Sequence, residues 1–519
     1  MYIIILGAGV MQGPAICFAK AQGFTTVVVD GDAQASCVNR ADRFEHIDLK
    51  DKEAITELAQ SLQLKGGLAG IMTAGTDFST TVAWVAQKLG LPGIPYEVAC
   101  NASDKERMRR VFAQAGLASP NFFTLTAVPD AHFSLPFAYP AVVKPVDNMG
   151  ARGCRLINTD KELQEAVHKA LPFSRSGRVI IEEYMDGPEF SVDAIVYHGE
   201  ITICGLADRH IFFPPYFIEM GHTMPTSLDA SQAEALLELF SSGVRALGIT
   251  DGAAKGDLKM TADGPMIGEI AARLSGGFMS GWTYPYSSGV EPTSAAIRIA
   301  TGSAPGKLSP QRAWTSAERA LISIPGLIYT ITDLKEAKNI EYVKDIFLRV
   351  SCGDRVQFPD NNVSKCGNVI SAAPTRTAAV NAAEQAVRSI LIRLIAPDPQ
   401  TEAFLASFIL YPDNSTATVY PPDAFLISDS IRSALQQLPD PQPGKNLSLI
   451  PFPALTESRC TDWAGRTVLE SLEAVRSLTC NALPLRSSAA GALGRRFWAA
   501  LIRGGYQGAA YLVDTVQTL

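Results

Sequence analysis

No Cys-x-x-Cys pair occurs in the 519 residues, and the nine cysteines stand singly, at Cys17, Cys37, Cys100, Cys154, Cys204, Cys352, Cys366, Cys460 and Cys480. An odd, scattered set excludes a disulfide framework and points to reduced thiols and a cytoplasmic address. Positive charge is not in excess: 52 acids stand against 45 bases, a net charge of -7, so no general attraction to nucleic acid is expected. The apolar start MYIIILGAGV carries no basic leader and is far too short for a membrane span. Neither membrane nor nucleic acid is therefore expected as a partner. No internal repeat stands out. What remains, 47% hydrophobic and 19% charged, is the composition of a soluble globular protein with room for about three to four domains.

The stretch Gly252 to Gly277, GAAKGDLKMTADGPMIGEIAARLSGG, organises the chain. It reads as two strands joined by the turn Ala262-Asp263-Gly264-Pro265. Alternation sends Gly256, Leu258 and Met260 one way and Asp257 and Lys259 the other, and pairing about the turn brings Asp257 and Glu269 onto one face. Two acids on one face repel each other unless a cation sits between them. Paired hard oxygens suit Mg²⁺, with substrate phosphates completing its octahedron. Arg273, four residues beyond Glu269, can hold a carboxylate or a developing phosphate charge. Taken alone, the same pattern also describes a surface hairpin with two solvated acids.

The remainder gives that pair its context. Tyr2 to Leu6 reads as a buried parallel strand, and Gly7 to Gly13, GAGVMQG, as a glycine turn entering the helix Pro14 to Gln22. A helix N-terminus binds anions, which makes Gly9 a candidate substrate contact. The spacing GxGxxxG departs from the dinucleotide fingerprint GxGxxG. Asp77 follows the strand Gly70 to Thr73, where it either touches a ligand or caps the next helix. Ser103-Asp104-Lys105-Glu106 reads as a capping box that places Lys105 in the first turn of a helix. A buried strand, Pro140 to Pro145, carries Lys144 near its end and leads into the loop Asp147 to Gly153, whose Asn148, Met149, Gly150 and Gly153 allow close approach to phosphates. The strand Arg178 to Ile181 leads into Glu182-Glu183-Tyr184-Met185 and then Glu189.

In this order and spacing the chain resembles the ATP-grasp superfamily, in particular its biotin-carboxylase-like and L-amino-acid ligase branch, over roughly residues 1 to 395. The resemblance implies that Lys105, Lys144 and the loop hold phosphates, that Glu182, Glu183, Tyr184 and Met185 form the adenine hinge, and that Glu189 meets the ribose. It implies magnesium, or manganese, on Asp257 and Glu269. Phe217 to Pro225 resembles a loop that adds Glu219 to the metal cluster and turns His222 toward an acyl phosphate. The fold class it implies is α/β. A Rossmann-like domain would span 1–100 and an ATP-grasp domain 101–310, with a mobile subdomain at about 120–208. A β-rich lid would span 311–396, and 397–519 would be an appendage of unassigned role, with a strand at Phe404 to Leu410 and helices near Arg466 to Leu478 and Ala489 to Arg503. The implied activity is amide formation from a carboxylate and an amine at the expense of ATP, with Arg273 and His222 at the reacting atoms, Gly9 and Asp77 near the substrate, and a homodimer left open. A carboxylase acting on bicarbonate and a non-catalytic ATP sensor are the alternatives. One departure stands out: where the family commonly writes Glu-x-Asn-x-Arg, this chain has Glu269, Ala271 and Arg273. Ala271 offers no oxygen to a second magnesium, so either Glu219 compensates or activity is partly lost.

Overall fold

Ile3, Ile4, Ile5 and Leu6 are all fully buried, which requires a strand covered on both faces. That strand, β1 (Tyr2–Leu6), lies in a parallel sheet of order β3-β2-β1-β4 with β2 (Thr25–Asp30), β3 (Arg43–His46) and β4 (Leu68–Thr73). Ile4, Leu6, Val27 and Val29 pack on one side with α2 (Lys52–Gly66) and α3 (Ser79–Leu89), while Ile3, Ile5 and Val28 pack on the other with α1 (Gly13–Ala21) and the helix Pro292–Ala300. Gly70 belongs to that second contact, since a Cβ there would lie 1.9 Å from the Ala300 carbonyl oxygen.

The structure is a computed structural model and describes residues 1–130, 133–408, 420–486 and 490–518. These fall into two units, Met1–Glu318 with Ala372–Ala379, and Arg319–Ser371 with Val380–Leu519. The fold is mixed α/β, with a parallel N-terminal sheet followed by large antiparallel pairing.

After α4 (Tyr96–Asn101) and α5 (Lys105–Gln114), the first unit forms an antiparallel sheet of order β5-β8-β6-β7 from β5 (Phe122–Leu125), β6 (Ala141–Pro145), β7 (Arg155–Ile157) and β8 (Val179–Glu183), backed by α6 (Asp160–Ala170). A second antiparallel run, of order β13-β12-β9-β10-β11, is built from β9 (Glu189–Tyr197), β10 (Glu200–Phe212), β11 (Ile218–Met224), β12 (Gly252–Thr261) and β13 (Gly264–Ala271). Its rear face packs Val192, Ala194, Leu258 and Ile270 against Phe112 of α5 and Phe240 and Val244 of α7 (Ala230–Leu247). Helix and hairpin approach so closely that a Cβ on Gly256 would stand 2.5 Å from the Phe240 ring.

Three local expectations change. The helix carrying Lys105 is capped by Asp104 rather than Ser103, because the Asp104 carboxylate accepts from the Arg107 amide at 3.1 Å and adds a negative charge at the positive helix end. Phe217 to Pro225 is mostly strand β11 rather than a loop, ending at the cis bond Met224–Pro225. Of the expected strand at Phe404 to Leu410, Phe404 to Ala406 end the helix Pro399–Ala406 and Ser407 and Phe408 form a turn, while Ile409 and Leu410 lie outside the described residues.

In the second unit the tail beyond 396 folds onto what precedes it. The helical segment Arg495–Thr518, kinked at Gly505 where φ is 60°, sets Asp514 against Arg393 in two bonds of 2.9 and 2.6 Å, and the Tyr506 hydroxyl accepts from the Ile392 amide at 2.9 Å. Trp498 is fully buried, with its indole N–H donating to the Ile450 carbonyl at 2.9 Å, in a core shared with Leu391, Leu449, Leu472 and Val475. Ala489, the expected start of this helix, lies outside the described residues. Among the described residues no helix is long and apolar enough to cross a membrane.

Candidate active site

Register builds the site. Across β12 and β13, Asp257 lies opposite Glu269 and Lys255 opposite Ala271; on the other side of β12, Asp193, Ser191 and Glu189 of β9 lie opposite Lys255, Asp257 and Lys259. Arg209 of β10 pairs with Glu189, and His222 of β11 pairs with Arg209. Side chains alternate along a strand, so these residues share the polar face while the apolar set packs behind. Two bulges make the alignment work. Glu219 and His222 are three apart and belong on opposite faces of a regular strand, but Met220 is an extra residue in β11 and brings them together. Gly268 is the extra residue in β13 and keeps Glu269 facing Asp257.

Two lysines meet at the edge of this face. Lys105, 6% exposed, donates to the Asn148 carbonyl at 2.9 Å and lies 3.5 Å from Glu269. Burial opposes its charge, yet Glu269, Asp77 and Glu182 outweigh burial and raise its pKa above the usual lysine value. Lys144 lies 2.6 Å from Glu182, whose other oxygen accepts from Arg109 at 2.8 Å. Burial works against the Glu182 charge, but Arg109 and Lys144 prevail and hold its pKa at about 2. Each oxygen of the Glu182 carboxylate therefore carries a protein cation. Glu183 turns the other way and accepts from the Asn121 side chain at 2.8 Å, so its carboxylate does not join the site. Tyr184 stacks on Phe217 and lies under the Lys259 ammonium, which also donates to the Met185 carbonyl at 3.0 Å.

The loop after Lys144 is held at its base. Asp147 accepts from Ser174 Oγ at 2.9 Å and from the amides of Arg175 and Ser176 at 3.0 and 2.7 Å, while Asn148 donates to the Phe173 carbonyl at 2.6 Å. Gly150 and Gly153 take φ of 71° and 70°, where a side chain is strained. Between loop and lysines, burial pushes the Cys154 thiol up to about 11, so it stays protonated at neutral pH.

Arg209 is a central residue that the sequence reading missed. Its guanidinium bridges Glu189, Glu219 at 2.7 Å and Asp257 at 2.9 Å, and its Nε is buried without a partner among the described residues. Asp257 also accepts from Ser191 at 2.8 Å and from Lys255. Burial opposes its charge, but Arg209 and Lys255 hold its pKa at about 2. Among the described residues no group of three or more His, Cys, Asp or Glu forms a ready metal cage. The expected trio of Asp257, Glu269 and Glu219 is thus not assembled, because Arg209 stands between Glu219 and Asp257. Asp257 and Glu269 alone, two hard carboxylates in register, fit Mg²⁺ when phosphate and water oxygens complete the shell.

His222 does not reach an open cleft. It is 1% exposed, with Nδ1 2.9 Å from Glu318 and Nε2 3.5 Å from Glu219. Burial disfavours the imidazolium, but the two carboxylates hold its pKa at about 9, so it is charged at neutral pH. Arg273 is 8% exposed and donates to the Leu274 carbonyl at 3.0 Å, leaving a buried Nε without a partner among the described residues. The Gly9 amide is taken by its own Gln12 side chain at 2.9 Å and the Ala8 amide by Asp30 at 2.7 Å, so this turn is filled internally rather than open to an anion. Asp77 lies near enough to Lys105 to contribute to its raised pKa.

Comparison with known proteins bears on this arrangement directly. Residues 137–281 match the ATP-grasp domain, 18–93 the ATP-grasp N-terminal domain, and 319–394 the L-amino acid ligase C-terminal domain 2. The chain belongs to the ATP-grasp superfamily. Among its relatives, an uncharacterized protein of Sinorhizobium fredii, y4rH, is 27% identical over 358 residues, covering 67% of this chain and 74% of its own. Carnosine synthase 1 of Mus musculus is 24% identical over 58% of this chain, which spans only 40% of the synthase. The crystal structure of an L-amino acid ligase from Bacillus licheniformis superposes on 76% of this chain and 99% of its own with a TM-score of 0.67 at 21% identity, a likeness that speaks for the fold. The matched ATP-grasp segment contains Lys144, the glycine loop, the hinge and both hairpin acids.

Proposed function

We propose that this ATP-grasp protein is a carboxylate–amine ligase that uses ATP to activate a small carboxylic acid, most simply an amino acid, as an acyl phosphate and passes the acyl group to an amine. The observation that carries the reading is Lys105, whose ammonium touches both the glycine loop at Asn148 and the acid Glu269. That is the position from which one cation can follow a phosphoryl group between loop and metal.

Lys105, Lys144 and the amides of the loop hold the phosphates of ATP. Mg²⁺ on Asp257 and Glu269, when bound, neutralises phosphate charge. Arg273, with a buried donor to spare, anchors the carboxylate or its phosphate. The γ-phosphoryl group moves to a carboxylate oxygen and ADP leaves; the amine nitrogen then attacks the acyl carbon, phosphate departs and a proton goes to solvent. No side-chain nucleophile is needed. His222 acts as a positioning residue: its charge holds Glu219, and Glu219 holds Arg209.

Hydroxylamine tests the acyl phosphate. With ATP, Mg²⁺ and pooled L-amino acids, hydroxamate should accumulate and should disappear in Glu269→Ala. Absence of hydroxamate, with bicarbonate driving ADP formation instead, contradicts the ligase reading and favours a carboxylase.

A further inference from the structure

The polar face of the hairpin carries a cation that neither the activity nor the metal pair requires. Lys255 stands two residues before Asp257 on the same face, and its ammonium bonds the Asp257 carboxylate. Its side chain is 13% exposed. Directly across the hairpin is Ala271, 2% exposed, whose methyl group leaves room for the lysine stem and offers no oxygen. On the opposite flank the paired residue is Asp193, whose oxygens accept from Ser275 and, at 2.6 Å, from Ser280. Lys255 is thus hemmed in beside the acid pair.

Each carboxylate oxygen of Asp257 already has a cation, Arg209 at 2.9 Å on one and Lys255 on the other. A carboxylate offers about four acceptor positions, so one further cation shared with Glu269 can still be bound. A second divalent ion on the Lys255 side meets an ammonium at contact distance and finds no ligand on Ala271. Like charges so close in a partly desolvated site repel strongly.

We propose that Lys255 is a built-in replacement for a second metal ion, so that the site takes a single divalent cation with its nucleotide. The inference rests on the reading of Asp257 and Glu269 as the metal pair. It makes the ammonium, permanently tethered, the second positive charge beside the transferred phosphoryl group, and gives Ala271 a purpose: space for the lysine rather than a lost ligand.

Counting bound Mn²⁺ by electron paramagnetic resonance, with a non-hydrolysable ATP analogue at saturation, tests it without turnover. The wild-type chain should hold one Mn²⁺ per bound nucleotide, Lys255→Arg also one, and Lys255→Met two, the second more weakly. Thermal melting of each variant confirms that the count refers to folded protein. Two ions in the wild type, or a count that stays at one in Lys255→Met, overturns the role of Lys255 while leaving the ligase reading intact. If neither the nucleotide nor Mn²⁺ binds, the ligase reading fails and takes this inference with it.

Discussion

Arg109→Met is expected to lower stability by about 3–5 kcal/mol, the cost of leaving one member of a buried ion pair without its partner. The Arg109 and Glu182 side chains are 0% and 3% exposed, and the guanidinium also donates to the carbonyl of the bulge residue Gly268. One residue therefore ties α5, which begins with Lys105, to the hinge strand and to the hairpin bearing Glu269. The pair also sets a pH dependence. Glu182 has its pKa depressed from 4.5 to about 2, so its contribution is fully present above pH 4.5 and is lost as pH falls toward 2. The size of that loss is on the order of 3 kcal/mol. Denaturant unfolding between pH 2 and 6 should show this loss in the wild type and a shallower one in Arg109→Met, where Lys144 alone holds the carboxylate. Adding Glu182→Gln to Arg109→Met should recover part of the stability, since it removes the stranded charge. An Arg109→Met protein that unfolds like the wild type at every pH contradicts this account.

Arg209→Met should be comparably severe, by about 3–5 kcal/mol, for a different reason. The substitution leaves Glu189, Glu219 and Asp257 facing one another, with Lys255 and Lys259 as their remaining cations apart from His222. A cluster of buried acids freed of its guanidinium becomes a divalent-cation trap. Millimolar Mg²⁺ without nucleotide should therefore raise the melting temperature of Arg209→Met by several degrees and leave that of the wild type almost unmoved. Equal response of the two proteins to Mg²⁺, or a variant that melts with the wild type, places the guanidinium outside the electrostatic balance of the site.

The sequence carried the hairpin because its Asp-Gly turn and the strand pattern on either side of it are local, whereas the facing of Asp257 and Glu269 depends on the bulge at Gly268. The glycine loop and the helix of Lys105 were legible for the same reason. Arg209 and Lys255 were not, because a single cation in a strand has no motif, and their meaning comes from Glu189, Glu219, Ala271 and Asp193, brought alongside only by sheet register. The bulges at Met220 and Gly268 decide which side chains share a face, and alternation alone cannot announce an extra residue. The hinge role of Glu182 comes from the family resemblance, but its ion pairs are not legible in the sequence, since Arg109 and Lys144 are 73 and 38 positions away. The apolar run Phe404 to Leu410 suggests a strand, yet its first residues, Phe404 to Ala406, close a helix. The signal for a helix was present just before it, in Asp398, whose side chain caps the Gln400 and Thr401 amides, and Pro399 at the first helical position.

The most direct test of the ligase reading is phosphate release from ATP and Mg²⁺ with L-amino acids supplied singly and in pairs, bicarbonate in parallel wells, and Glu269→Ala as the blank. The account predicts release that requires two amino acids together and vanishes in the variant. Release with bicarbonate alone, or nucleotide binding without release under any pairing, contradicts it.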